Sequence, residues 1–130
     1  SIGNDSGSGE VAYFGTGTLT TGKLYYLNTS GVWTLTNADD TTAGGSQLLG
    51  IALGSSPSSD GVLLRGFFDM TTYLTGFGRG VPVYVKQLNT GYATITQPTG
   101  TNDFVRVIGY CTDTVNVIYF NPDGTYIKLA

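Results

Sequence analysis

The sequence predicts an all-β fold, a small barrel or tightly curled sandwich made from two copies of one β-unit related by a pseudo-twofold duplication. Three observations predict it. The chain carries 20 glycines and 20 threonines in 130 residues and only 12% charged residues. Thr, Val and aromatic residues favour strands, and Gly supplies turns and bulges. Second, apolar residues alternate with period two, and no stretch shows the sustained three-and-four spacing of an amphipathic helix. Third, one pattern is written twice. Gly22-Lys23-Leu24-Tyr25-Tyr26-Leu27, a Gly31 turn, Val32-Trp33-Thr34-Leu35-Thr36 and Leu48-Leu49-Gly50-Ile51-Ala52 are answered by Gly80-Val81-Pro82-Val83-Tyr84-Val85, a Gly91 turn, Tyr92-Ala93-Thr94-Ile95-Thr96 and Val107-Ile108-Gly109-Tyr110-Cys111. Gly22 precedes Gly80 by 58 positions, Gly31 precedes Gly91 by 60, and Gly50 precedes Gly109 by 59. Three glycines in one order, at offsets of 58 to 60, suggest a duplicated unit.

Taken in order, residues 1–9 are Ser- and Gly-rich and read as a flexible arm or linker without the charge and apolar core of a signal peptide. Residues 10–130 form one domain, with half-units over about 11–66 and 78–130. Trp33 and Leu35 share one face of a half-buried strand, with Ala93 and Ile95 in the matching places. Asn28-Thr29-Ser30-Gly31 and Asn89-Thr90-Gly91 are hairpin turns. Leu48 to Leu53 and Phe104 to Cys111 are nearly continuous apolar runs, the pattern of strands covered on both faces. Gly50 and Gly109 inside them require a bulge, a close contact or a bend, and their recurrence favours a bend that wraps the sheet. Residues 54–61 form a polar loop. The stretch from Phe67 to Phe77 joins the halves, with room for one helical turn over Asp69 to Leu74. Asn121-Pro122-Asp123-Gly124 is a turn, with Pro122 and Gly124 at positions that suit them, and it leads into a last strand over Tyr126 to Ala130.

The formal charge is −3 and six Lys and Arg residues are scattered singly, which leaves no basic stripe for nucleic acid. No run of eighteen apolar residues would span a membrane as a helix. The single cysteine, Cys111, lies in an apolar run and reads as a buried thiol. No histidine is present, which removes the commonest general base and metal ligand. No phosphate-binding loop appears, and Gly76-Phe77-Gly78-Arg79-Gly80 lacks a strand-to-helix context. Asp39-Asp40, Asp60, Asp113 and Asp123 read as turn residues. Adjacent carboxylates on extended chain point apart, so Asp39 and Asp40 make a poor glycosidase pair or calcium site. No catalytic residue, cofactor or metal site is assigned. The aromatics remain: nine Tyr, six Phe and one Trp. Tyr25, Tyr73, Phe77 and Tyr92 are candidates for an interface or for contact with a glycan, against a core role for most of the set.

The ordered phrases Leu48-Leu49-Gly50-Ile51-Ala52-Leu53-Gly54, Gly61-Val62-Leu63-Leu64-Arg65-Gly66-Phe67, Val105-Arg106-Val107-Ile108-Gly109-Tyr110 and Ile118-Tyr119-Phe120-Asn121-Pro122-Asp123 resemble a domain that recurs in structural proteins of tailed bacteriophages. The resemblance covers roughly residues 10 to 130. It implies a non-enzymatic virion component, a capsid decoration protein or a fibre or tail domain on the particle surface. It also implies self-association as a homotrimer, with capsid or fibre proteins as further partners. The alternative is a module at a fibre tip that recognises a host surface glycan.

Overall fold

The computed structural model describes residues 8–130, so the proposed arm lies outside the described residues up to position 7. Its last two residues belong to the first strand. The elements in order are β1 (Ser8–Ala12), β2 (Leu24–Leu27), β3 (Trp33–Leu35), β4 (Leu49–Ala52), α1 (Pro57–Asp60), β5 (Val62–Asp69), β6 (Leu74–Thr75), β7 (Pro82–Val85), β8 (Ala93–Thr94), β9 (Phe104–Val105), β10 (Val107–Cys111), β11 (Val117–Phe120) and β12 (Ile127–Lys128). Ten strands form one sheet in the order β3-β2-β4-β5-β11-β10-β7-β8-β6, with β1 paired to β5, and β9 and β12 form a small second sheet. The large sheet curls into a half-barrel, as strand twist demands when so many short strands are joined.

The strand order reads the same from both sides of its centre. β3-β2-β4-β5 repeats as β8-β7-β10-β11, and the antiparallel pair β5–β11 joins the halves. The register repeats with the order. Leu27 faces Trp33 as Val85 faces Ala93, and Tyr26 faces Thr34 as Tyr84 faces Thr94. Tyr25 faces Gly50 as Val83 faces Gly109. Ala52 faces Val62 as Cys111 faces Ile118. The duplication also reaches further upstream than the glycine pattern showed. Thr16 bridges Val32 in parallel just as β6 pairs in parallel with β8.

The core lies between the halves. Leu24, Ile51, Leu63 and Phe68 from the first half meet Val83, Val85, Ile108, Ile118 and Phe120 from the second. A smaller cluster of Leu19, Tyr25, Trp33, Ala52 and Val62 adds to the first half alone. β4 is buried at every position, the consequence of cover on both faces. Gly50 and Gly109 are explained by close approach of neighbouring chain. A Cβ on Gly50 would stand 2.2 Å from Val62 Cγ1, and one on Gly109 would stand 2.2 Å from the Tyr119 carbonyl oxygen. A register shift between Val107 and Gly109 adds a bulge to the second copy only.

Three local expectations change. The apolar run from Phe104 divides at Arg106 into β9 and β10. The polar loop 54–61 contains α1, a single turn with Pro57 at its start, too short to leave a periodic signature. The stretch Asn121–Gly124 does not fold back as a hairpin. Its N–H groups at Asn121 and Asp123 donate to Ile108 and Val107 carbonyls, carrying the chain past the start of β10. The reversal is an Asp123 turn, its carboxylate accepting from Thr125 N–H at 3.0 Å, and the last strand keeps only Ile127 and Lys128, paired with β9. Over Asp69 to Leu74, where there was room for one helical turn, the chain makes a hydrogen-bonded turn at 71–73 and no helix, with Tyr73 and Leu74 N–H donating to the Met70 carbonyl at 3.0 and 2.9 Å.

Candidate functional site

The four aromatic candidates separate into two roles. Tyr25 is 4% exposed and belongs to the smaller core cluster, its hydroxyl accepting from Thr20 N–H at 2.7 Å. Phe77 packs half-buried against the main core. Tyr73 and Tyr92, nineteen positions apart, are brought together with ring centroids 5.1 Å apart at 86°, the edge-to-face geometry that aromatic pairs prefer. Lys23 completes the group, its Nζ 5.4 Å from the Tyr73 ring centroid.

Each member is placed by backbone that the sequence dictates locally. Tyr73 ends the tight turn begun at Met70, which is held by Tyr73 and Leu74 N–H donation to the Met70 carbonyl. Asp69 fixes the same turn from outside, Oδ1 accepting from both Thr71 N–H and Thr71 Oγ1. Tyr92 follows the Gly91 turn, and Gly91 donates to the Thr36 carbonyl and accepts from Leu24 N–H, so the hairpin of the second half is tied to β2 beside Lys23. The result is a groove of about 480 Å³ between the Thr21–Gly22 corner and the 68–73 turn, floored by Leu53, Phe68 and Met70.

A second, smaller groove of about 260 Å³ lies under the β7–β8 loop. Here the second half carries two extra residues. Leu88, 78% exposed at φ 72°, sits at the apex of a γ-turn closed by Asn89 N–H to the Gln87 carbonyl at 2.8 Å.

The carboxylates work on their own loops. Asp40 accepts from Thr42 N–H and Oγ1, and these two bonds hold its pKa below the ordinary carboxylate value. Asp60 accepts from Ser56 N–H at 3.0 Å across α1. Among the described residues no group of three or more His, Cys, Asp or Glu side chains is placed to hold a metal ion. Two polar residues that the sequence reading passed over prove to be built into the interior. Arg106, 5% exposed, donates from Nε to the Asp123 carbonyl at 2.6 Å and from Nη1 to the carbonyls of Gly44 and Gln47 at 2.8 and 2.7 Å. Burial lowers its pKa, with the Asp123 charge acting against that. Asp103 is buried beside it in sequence and accepts from Gly100 N–H at 2.8 Å and, with the Gln87 amide turned to donate, from that side chain at 2.7 and 2.9 Å. A single arginine within Val105-Arg106-Val107 carries no signal for this; its role is visible only once three distant carbonyls converge.

No family model matches the chain, and no curated protein or solved structure does either.

Proposed function

We propose that this chain is a structural domain of a tailed-phage virion, decorating the capsid or ending a fibre, and that it works by assembling with copies of itself. Two lines support the reading. One is the resemblance of its ordered phrases to phage structural proteins. The other, which carries the argument, is a row of apolar side chains across the outer face of the sheet. Pro82, Tyr110, Tyr119 and Phe67 stand opposite one another on β7, β10, β11 and β5. Tyr110 is 49% exposed, and the Phe67 and Tyr119 rings lie 5.1 Å apart. Aromatic rows of this kind are common where a subunit meets its neighbour, since Tyr supplies apolar area and a polar tip together. The occupant is a second copy, and a pseudo-twofold protomer in a trimer presents six similar lobes to a capsid or fibre axis.

Light scattering of the purified chain tests this directly. The expected mass is about three times 13.7 kDa. Tyr110→Glu should dissociate the assembly, because it places a charge in a face that packing removes from water. A wild-type chain that stays monomeric at tens of micromolar overturns the reading. Co-sedimentation with empty capsids then distinguishes decoration from a fibre role.

A further inference from the structure

The duplication supplies an internal control. Where both copies make the same backbone hydrogen bond, whatever the fold requires at that position should be seen twice. Gly22 N–H donates to the Ala52 carbonyl at 2.8 Å, and Gly80 N–H to that of Cys111 at 3.0 Å. Ala52 N–H donates to Lys23 as Cys111 N–H donates to Val81. Trp33 N–H donates to Thr16 as Ala93 N–H donates to Tyr73. Asn28 N–H donates to Val32 as Lys86 N–H donates to Tyr92. These pairs equate Lys23 with Val81, Tyr73 with Thr16 and Tyr92 with Val32. The backbone work done by Lys23, Tyr73 and Tyr92 is therefore done in the other copy by two valines and a threonine. Nothing in the fold asks for an ammonium and two phenols, yet all three are gathered at one place.

Tyr73, the member the other two contact, also lines a concavity. The Tyr73 ring is held on one side by the edge-to-face contact with Tyr92, and Gly22 lets chain pass so close that a Cβ there would lie 3.3 Å from Tyr73 Cδ2. The groove beside it, about 480 Å³, falls in the range of small-molecule sites, roughly 300–1,000 Å³. Its rim carries acceptor, donor and hydroxyl groups. Asp69 uses Oδ1 within its own turn and, among the described residues, makes no bond through Oδ2. Thr21 and Thr72 add hydroxyls to the lining, and Lys23, just outside it, brings an ammonium to 5.4 Å from the Tyr73 ring centroid. An anion would meet the Asp69 carboxylate, and a cation would meet Lys23. A purely apolar segment would strand three polar groups without partners. A ligand with one C–H face and several hydroxyls satisfies every wall.

We infer that this groove binds a neutral pyranose ring of a glycan, with the ring's C–H face on Tyr73 and its hydroxyls shared among Asp69, Thr72 and Lys23. The site does not depend on self-association, so its test stands apart from the mass measurement. Amide chemical shifts of the ¹⁵N-labelled chain are followed while glucose, galactose, mannose or N-acetylglucosamine is added, with glucuronate as the charged comparator. At least one neutral sugar should shift the amides of residues 21–23 and 69–73 saturably, with a dissociation constant on the order of millimolar for a single ring. Tyr73→Thr should weaken that binding about tenfold or more, and Tyr73→Phe should hold it within about threefold, since the platform stays. The fold already tolerates threonine and valine at the equivalent positions, so Tyr73→Thr and Tyr92→Val should leave the spectrum of the remote half intact. If Tyr73→Thr does not fold, Lys23→Val and Asp69→Asn are read in its place, each expected to weaken the same sugar severalfold. The inference is overturned if no neutral sugar moves the groove amides at about 100 mM, far above a millimolar constant. It is overturned equally if the variants bind as the parent does, or if glucuronate binds more tightly than every neutral sugar.

Discussion

The two halves share register and hydrogen bonds but differ where they touch. Leu24 N–H, at the start of β2, donates to the Gly91 carbonyl of the other half at 2.8 Å. Its counterpart, Pro82, has no N–H to donate, and the Gly31 carbonyl accepts instead from Thr16 within its own half. The inter-half contact is therefore one-sided. Duplication fixes the path of the backbone, and a single lost donor is enough to make one copy lean on the other. Side chains diverge away from that seam as well: Trp33 stands in the first copy, within a cluster of first-half residues, where the second copy has Ala93.

The interior glycines offer the largest test of how far the copies are equivalent. Gly109 faces backbone: its added Cβ would lie 2.2 Å from the Tyr119 oxygen and 3.1 Å from Phe120 Cα. Gly50 faces first a side chain, Val62 Cγ1, with the Leu63 carbonyl oxygen at 3.3 Å and Trp33 Cζ3 at 3.4 Å. Strands cannot part without losing ladder bonds, whereas a valine can turn or be truncated. Gly109→Ala should cost about 3 kcal/mol or more, and Gly50→Ala about 1–2 kcal/mol, in chemical denaturation. Adding Val62→Ala should recover part of the loss at Gly50, and Tyr119→Ala should recover none at Gly109, because the obstacle there is main chain. Equal losses at both sites would mean that both glycines answer to one geometric cause.

Arg106 comes next. Its guanidinium joins the Gly44–Gln47 loop of the first half to Asp123 near the end of the second. Arg106→Ala leaves three carbonyls without this donor, that of Gly44 in buried surroundings, and should cost about 2–4 kcal/mol. Arg106→Lys should recover little, because one ammonium cannot reach three carbonyls spread over a planar fork. Hydrogen exchange should show protection lost at both the 44–47 loop and residues 121–125. Loss confined to one of them would show that the bridge is not shared.

What was legible in the chain follows from these distances. The glycine offsets, the succession of apolar segments along each unit and the equivalence of Trp33 and Ala93 rest on local patterns, and local patterns survive in sequence. The parallel bridge at Thr16, the union of halves through β5 and β11, and the three carbonyls on Arg106 join residues far apart, and no periodicity announces them. The Tyr73 groove is the same case. It is assembled from residues 21–22, 53 and 68–73, with Lys23 and Tyr92 against the Tyr73 ring, and residue type alone points only to Tyr73 and Tyr92. Tyr25 was singled out by the same criterion and is core, since alternation in β2 assigns faces but does not say that both faces are covered.

The smallest expected difference concerns the two turns. Gly31 and Gly91 have the same φ of 78°, so an L side chain should cost about 1–2 kcal/mol at either from backbone strain alone. Their surroundings differ. Gly31 has nothing within 4 Å of an added Cβ, while at Gly91 that atom would lie 2.6 Å from Leu35 Cδ2 and 3.2 Å from Lys23 Cβ. Gly31→Ala should therefore report strain only, and Gly91→Ala strain plus about 1 kcal/mol or more of overpacking against Leu35 of β3 and Lys23 just before β2. Leu35→Ala isolates the second contribution. Combined with Gly91→Ala it should relieve the packing part, so the double variant loses less than the sum of the two single losses, while with Gly31→Ala the losses should be additive within about 0.5 kcal/mol. Additivity at both turns would mean that Gly91 is held by φ alone, and that the seam between the halves is looser than its hydrogen bonds imply.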